Sequence, residues 1–363
     1  MSTLKVNALN NGGSAIDLPN SFKLRGNPIE QGYTSSATEP TSPNTGDIWW
    51  DSANEKLYQY LNGAFKELTL APSGVPWGGD RAVIRVLSST NNMQYFSVST
   101  SGNATTFGTS IVADSGGTNP ASTSDSSRGL FAGGNYPPNF YPANLIEYIT
   151  ISTTGNGTDF GDLTSYRREF QAVGDGTYGI FAGGNGNSNI IDYVTVQTTG
   201  NATDFGDLTV GRPNKGGTGV QDSTRGVFHA GGPNTGSLFV MDYITMATTG
   251  NATDFGDPSV NTYAMSGCSD STRGVWCGGL TTEANYNTLE YITIQTTGNA
   301  TDFGDALANT YVGGGASDGT YGVFASSGTV NISHITIQTT GNASDHGDLS
   351  YNSAGAMCAG AAA

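Results

Sequence analysis

A ten-residue motif, Thr-Thr-Gly-Asn-Xaa-Thr-Asp-Phe-Gly-Asp, recurs at 153–162, 198–207, 248–257 and 296–305, and the variant Thr-Thr-Gly-Asn-Ala-Ser-Asp-His-Gly-Asp occupies 339–348. A worn copy, Thr-Ser-Gly-Asn-Ala-Thr-Thr-Phe-Gly, starts at Thr100. The aromatic position falls at Phe107, Phe160, Phe205, Phe255, Phe303 and His346, at spacings of 53, 45, 50, 48 and 43 residues. Self-similarity at such a period marks an array of supersecondary units, each unable to bury its apolar face alone.

Each unit reads as four short strands. Before the motif lies a β-branched and aromatic run, as in Ile146-Glu-Tyr-Ile-Thr-Ile, Ile191-Asp-Tyr-Val-Thr-Val, Met241-Asp-Tyr-Ile-Thr-Met and Leu289-Glu-Tyr-Ile-Thr-Ile. Upstream again is a run ending in paired glycines, as in Gly129-Leu-Phe-Ala-Gly-Gly and Gly274-Val-Trp-Cys-Gly-Gly. Both are bounded by Gly, Asn and Asp, the punctuation of strands. A small-residue strand such as Tyr263-Ala-Met-Ser-Gly-Cys precedes them, and a short polar strand follows Thr-Gly-Asn. Four strands per unit and six units predict an all-β, six-bladed β-propeller over 77–363. The first unit opens at its second strand, Arg81-Ala-Val-Ile-Arg-Val, while the chain ends on Ser353-Ala-Gly-Ala-Met-Cys-Ala-Gly, which matches the first strands. The C-terminal strand is therefore expected to complete the first blade, which removes an open sheet edge.

These residues resemble the kelch family. Gly183-Gly184 sits where kelch units close the second strand, Asp192 and Tyr193 match the acid and Tyr of the third, and Phe205 takes the aromatic place of the fourth. The resemblance departs where Phe replaces Trp and in the sixth unit, with Ser326-Ser327 for Gly-Gly and His346 for Phe.

Residues 1–76 lack the repeat. Thr34 to Asn44 is rich in Ser, Thr and Pro and reads as a linker. Gly46 to Leu68 alternates apolar and polar residues with turns at Ser52-Ala-Asn54 and Asn62-Gly63, a hairpin pattern. This block resembles the small β modules of bacteriophage tail-fibre and appendage proteins, and Ser2-Thr-Leu-Lys-Val-Asn7 resembles the start of virion structural proteins of marine phages. The resemblance implies a virion protein assembled in the host cytoplasm. It implies an attachment module at 1–76, with Trp49, Trp50, Tyr58 and Tyr60 as contacts to other virion proteins. A homo-oligomer, a trimer by the habit of fibres, is implied on the same ground.

Composition narrows the chemistry. There are 53 glycines among 363 residues, charged residues make up 12%, and 14 basic against 30 acidic side chains give a net charge of −16. That balance argues against nucleic acid and anionic membrane as partners. No run of 18 apolar residues predicts a membrane span, and the N-terminus shows no signal-peptide core. Three cysteines cannot build a disulfide framework. Cys268 and Cys277 flank the Ser271-Thr-Arg-Gly turn, where a disulfide is one option and buried thiols the default.

Catalytic and metal signatures are sparse, and no cofactor is expected. His229, His334 and His346 have no metal-ligand spacing. Asp-Phe-Gly occurs without a kinase catalytic loop, and Ser269-Asp-Ser-Thr-Arg-Gly only loosely fits a sialidase box. Glu147, Glu169, Glu283 and Glu290 leave a carboxylate-pair glycosidase open. The Asn-Xaa-Thr/Ser sites at Asn103, Asn156, Asn201, Asn251, Asn299 and Asn342 read as turn formers. The paired aspartates, such as Asp204 and Asp207, are expected to cap those turns and solvate one face rather than hold calcium.

Up-and-down strand order sends the 1–2 and 3–4 turns to one face and the 2–3 and 4–1 loops to the other. The first set is nearly invariant between units; the second varies in length and content, which is where recognition belongs. The variable face carries Tyr136, Phe140, Tyr141, Tyr166, Arg167, Arg168, Arg212 and Tyr286, and Tyr and Arg are the residues enriched in binding hot spots. The sequence therefore predicts a non-enzymatic virion appendage whose variable loops meet a host surface glycan or protein. A purely structural head, neck or tail decoration and a surface-glycan depolymerase are the alternatives.

Overall fold

A computed structural model describes residues 23–24, 27–28, 33–44, 47–51, 53, 56–61, 63–67, 79–86, 91–111, 120–136, 141–212, 218–229, 240–280, 284, 286–310, 313–326, 329–350 and 358–362. The chain divides into two compact units, Met1–Ser73 and Gly74–Ala363.

The larger unit is a six-bladed β-propeller of four-stranded antiparallel sheets. Blade 1 is composite: the C-terminal strand Cys358–Ala362 pairs with Arg81–Val86, followed by Asn92–Ser97 and Thr105–Thr109. Residues 353–357 of the expected closing strand lie outside the described residues. Blade 3 shows the regular form: Gln171–Gly174, Tyr178–Ala182, Ser188–Thr195 and Thr203–Arg212. The fourth strands of blades 2, 3 and 5 (Thr158–Arg167, Thr203–Arg212, Thr301–Thr310) run to ten residues, longer than the short polar strand expected. They can do so because a register shift, as between Ile191 and Asp192, lets the strand bend and keep its pairing.

The apolar residues form one cluster per blade interface. Ala82, Ile84 and Phe96 of blade 1 meet Val323, Ala325 and Ile332 of blade 6, and Ile180 and Phe205 of blade 3 meet Phe228 and Ile244 of blade 4. Motif aromatics are buried there, Phe205 at 3% exposure. At the axis, consecutive first strands touch, and side chains must be small: a Cβ on Gly315 would lie 2.2 Å from the Gly267 carbonyl oxygen. The axial cavity, about 50 Å³, is lined by Ser122, Ser124, Thr218, Ser269 and Ser317 among others and has room for a few waters.

The Thr-Gly-Asn turns clasp the blades together. Every 3–4 connection has the same length, 98–104, 151–157, 196–202, 246–252, 294–300 and 337–343. Each reaches back to the fourth strand of the preceding blade. At the blade 2–3 interface, Gly200 N donates to Phe160 O at 2.8 Å, Ala202 N to Asp162 O at 2.7 Å, and Asp162 N to Asn201 Oδ1 at 3.1 Å. The side-chain bond recurs at Thr109–Asn156, Asp207–Asn251, Asp257–Asn299, Asp305–Asn342 and, across the seam, Asp348–Asn103. The approach explains a motif glycine: Gly206 has φ +150°, and a Cβ there would sit 2.4 Å from the Gly250 carbonyl oxygen. The asparagine is thus the capping residue, and it caps a neighbour. The expectation that the paired aspartates cap the turn is corrected. Asp159, Asp204, Asp254, Asp302 and Asp345 are exposed, although Asp345 Oδ1 also accepts from Gly347 N at 3.2 Å.

The smaller unit holds a four-stranded sheet in which Tyr33–Ser36 runs parallel to Ile48–Asp51, followed antiparallel by Lys56–Leu61 and Ala64–Glu67. The linker reading of Thr34 to Asn44 is corrected at its start, since Thr34 to Ser36 pair with Trp49 to Asp51. The hairpin turn is at Gly63, φ +83°.

Replacing Asn201 with Ala should lower stability by about 1 kcal/mol, the worth of one such hydrogen bond. Asp204→Asn, at an exposed neighbour, should stay within about 0.5 kcal/mol in urea titration. Equal losses would refute the assignment of the clasp to asparagine.

Candidate functional site: the variable rim

A second ring of polar contacts lies under the variable face and fixes what stands on it. The third-strand position carries Gln94, Glu147, Asp192, Asp242, Glu290 and Ser333 in blades 1 to 6, all buried. Each accepts from the end of the fourth strand of the preceding blade. Thr164 Oγ1 donates to Asp192 at 2.6 Å and Thr209 Oγ1 to Asp242 at 2.6 Å. Ser259 donates to Glu290 through its N at 2.7 Å and its Oγ at 2.5 Å, and Ser110 Oγ to Glu147 at 2.5 Å. In the uncharged members, Leu307 N reaches Ser333 Oγ at 3.5 Å and Ser350 N reaches Gln94 Oε1 at 2.7 Å. The hydroxyl four residues after the motif aromatic (Thr164, Thr209, Ser259) was the available signal in the sequence, and it was missed.

Three of the buried acids face basic side chains. Arg85 lies 3.6 Å from Glu147, Arg167 bonds Asp192, and His229 Nε2 lies 2.8 Å from Glu290 Oε1. Burial pushes the Glu290 carboxyl up, but the His229 and Ser259 hydrogen bonds outweigh it and hold it below the ordinary range. A carboxylate depressed in this way stabilises the fold above its unfolded value and loses that contribution as pH falls through the folded one. With Glu147 and Glu290 both engaged in these bonds, their part in the structure is to join blades.

Arg167 corrects the sequence reading. It was expected on the exposed rim, but its guanidinium is buried at 2% exposure. Nη1 donates to Gly183 O and Ile190 O, both at 2.9 Å, Nη2 donates to Asp192, and the group lies 5.3 Å from the Phe170 ring. Burial lowers its pKa and Asp192 only partly restores it. Arg167 is the staple under the blade 2–3 rim.

Above that staple, the rim is tied by polar contacts. Arg168 N donates to Asn185 Oδ1 at 3.1 Å, Asn185 N returns to Arg168 O at 3.0 Å, and Arg168 Nη1 donates to Asn135 Oδ1 at 3.1 Å. Arg168 therefore bridges the 2–3 connections of blades 2 and 3. Glu169 and Asn187 beside it hold φ near +61°, an uncommon conformation for non-glycine residues. Tyr141 and Tyr166 stand on adjacent strands of the same blade edge, each 69% exposed. Tyr136 pairs through its backbone with Tyr141. Arg212 ends the fourth strand of blade 3 opposite Ser188, and Tyr286, half-buried, opens the third strand of blade 5. Those two stand on other blades, and Phe140 and Glu283 lie outside the described residues.

In the N-terminal sheet, Trp49 is a second correction. It is 6% exposed, stacks on Tyr58 at 5.0 Å, meets Phe65 edge-on at 5.3 Å, and donates Nε1 to Ser36 O at 3.2 Å. It is core rather than contact surface; Tyr58 and Tyr60 are half-exposed, and Trp50 is placed by its backbone pairing with Ser35 and Leu57. Cys268 and Cys277 are buried thiols not joined by a disulfide, in register with Val275 and Ser266 rather than with each other. Burial pushes the Cys268 thiol well up. Among the described residues no group of three or more His, Cys, Asp and Glu converges as a metal site.

No protein-family model matches the chain, and comparison with curated proteins returns no relative. The kelch resemblance therefore rests on the repeat residues themselves.

Asp192→Ala should destabilise the propeller by about 3–5 kcal/mol, because it leaves the buried Arg167 guanidinium without its carboxylate. The double variant Arg167→Met/Asp192→Leu should lose markedly less in the same denaturation measurement.

Proposed function

We propose that this protein is a bacteriophage virion appendage subunit, most simply a tail fibre, in which the N-terminal module attaches to the particle and the variable propeller rim binds a host surface glycan or protein. The observation that carries the reading is the division of labour between the two faces. One is built of repeated clasps with near-identical turns, and the other presents exposed Tyr141 and Tyr166 beside an anchored Arg168. Exposed aromatics on a rigid base lose little conformational entropy on binding, which is how Tyr and Arg come to dominate interfaces. The axial cavity is too small for a saccharide, so recognition on this reading is an outer-rim event.

Attachment is assigned to the N-terminal sheet through Tyr58 and Tyr60, with a homo-oligomeric fibre as the assembly. The location is the virion, and the reading involves binding rather than catalysis.

Tyr141→Ala with Tyr166→Ala should reduce binding of the full chain to susceptible cells by at least about tenfold, a loss of 1.4 kcal/mol or more, without moving the melting temperature. Unchanged binding would remove the rim from the proposal. Periodate treatment of the cells separates the partners, since it destroys glycans and leaves most protein epitopes. A chain lacking residues 1–73 should no longer be incorporated into particles; normal incorporation would overturn the attachment role.

A further inference from the structure

The six clasps are not chemically alike. Five bury a phenylalanine at the motif position, but the seam between blades 6 and 1 buries His346 at 2% exposure. Its ring leans on Phe96 of blade 1 at 5.5 Å, and Nε2 lies 2.7 Å from the carbonyl oxygen of Ser97. A carbonyl only accepts, so Nε2 carries the hydrogen and Nδ1 of the neutral ring is bare. That Nδ1 is buried without a hydrogen-bond partner. The neighbouring third-strand tyrosine of the other blades is here His334, stacked on His346 at 5.1 Å and 21°, and its Nε2 is likewise buried and unpartnered. On the far side of His334 lies Tyr321 at 4.9 Å, where blades 1, 2, 4 and 5 place an arginine over the third-strand tyrosine.

We propose that this stacked imidazole pair makes the blade 6–blade 1 seam an acid-released latch, closed while His334 is neutral and loosened ahead of the other interfaces when His334 binds a proton against the buried His346 ring. A proton on His334, whose Nε2 is buried without an acceptor, would place a charge against the face of a second, buried imidazole. The charged groups around the pair do not cancel that. Asp318, on the 1–2 turn of blade 6, favours the charged form of His334 but is outweighed: burial first, and His346 second, hold His334 below the ordinary histidine range. Asp345 and Asp348, on the strand of His346, are exposed to solvent. Asp80 of blade 1 stands behind Ser97, whose hydroxyl it accepts, and Arg81 is committed to the Tyr95 ring and the Ile151 and Ser152 carbonyls.

The sign of the effect follows by linkage. A histidine whose folded value is depressed binds protons more readily once its site opens. The seam is fully stabilised above the unfolded value and weakens as pH falls through the window between that value and the folded one. Phenylalanine does not titrate, so the clasps built on it serve as internal controls, except at the blade 4–5 interface, where the depressed Glu290 carboxyl also loses its contribution as pH falls. This device is independent of the receptor reading and survives its failure.

The test is amide hydrogen exchange on the full chain at pH 7.5 and pH 5.0, expressed as protection factors so that intrinsic pH dependence is removed. Protection at Gly102, Ala104 and Asp348 of the seam should fall by about tenfold or more on acidification, while their equivalents Gly200, Ala202 and Asp162 at the blade 2–3 interface hold. His334→Tyr with His346→Phe, which restores the residues of the other blades, should abolish the seam-specific fall. A uniform change at all interfaces, or a seam fall that persists in the double variant, overturns the proposal. The wild-type comparison alone decides the first of these outcomes should the variant not fold.

Discussion

The backward reach of each Thr-Gly-Asn turn onto the preceding blade is the contact on which the rest of the propeller depends. A four-stranded sheet of small and β-branched residues has two faces to bury and cannot bury either alone. The turn supplies two backbone donors and one amide acceptor to the neighbouring fourth strand, and so fixes the distance and rotation at which two blades meet. The interface clusters then fill with Phe, Ile and Val at that spacing. Because Asp348 meets Asn103 in the same way, the ring closes with the contact that builds it.

Two belts of polar contacts, one at each end of the blades, join neighbouring blades without making the interfaces uniform. The clasp belt is neutral and repeats almost without change. The acid belt varies, with Asp192 matched by Arg167, Glu290 by His229 and Glu147 by Arg85, while blades 1 and 6 use Gln94 and Ser333. A buried ion pair such as Arg167–Asp192 adds little net stability over apolar packing but penalises any register in which one partner is missing. The acid belt lies directly under the variable loops, so the rim can change in sequence while its base stays fixed.

Much of this was legible in the chain. The motif period gave the number of blades, the Gly-Gly and Tyr positions gave strand order, and Arg81 with the C-terminal strand gave the composite first blade. Legibility ended where a residue acts on a neighbour some forty residues away. Asn201 reads as a turn former because its local preference is strong, but its partner is Asp162 N of another blade. Arg167 and Arg168 are adjacent and chemically identical in the sequence. Strand alternation sends the first to Asp192 in the interior and leaves the second half-exposed on the rim. Trp49 and Trp50 are a comparable pair, of which Trp49 is packed into the N-terminal sheet.

Sequence by itself determined the architecture, because a repeated unit with glycine where strands crowd and asparagine where turns tighten leaves few ways to bury its apolar residues. Only the tertiary structure decided which polar residues hold blades together and which stand free. That choice depends on which fourth strand each side chain meets across an interface, a distance that no local pattern encodes. The substitution of two imidazoles at the seam shows the same division: the sequence displays His334 and His346 as departures from the repeat, and the fold stacks them against each other where the ring closes.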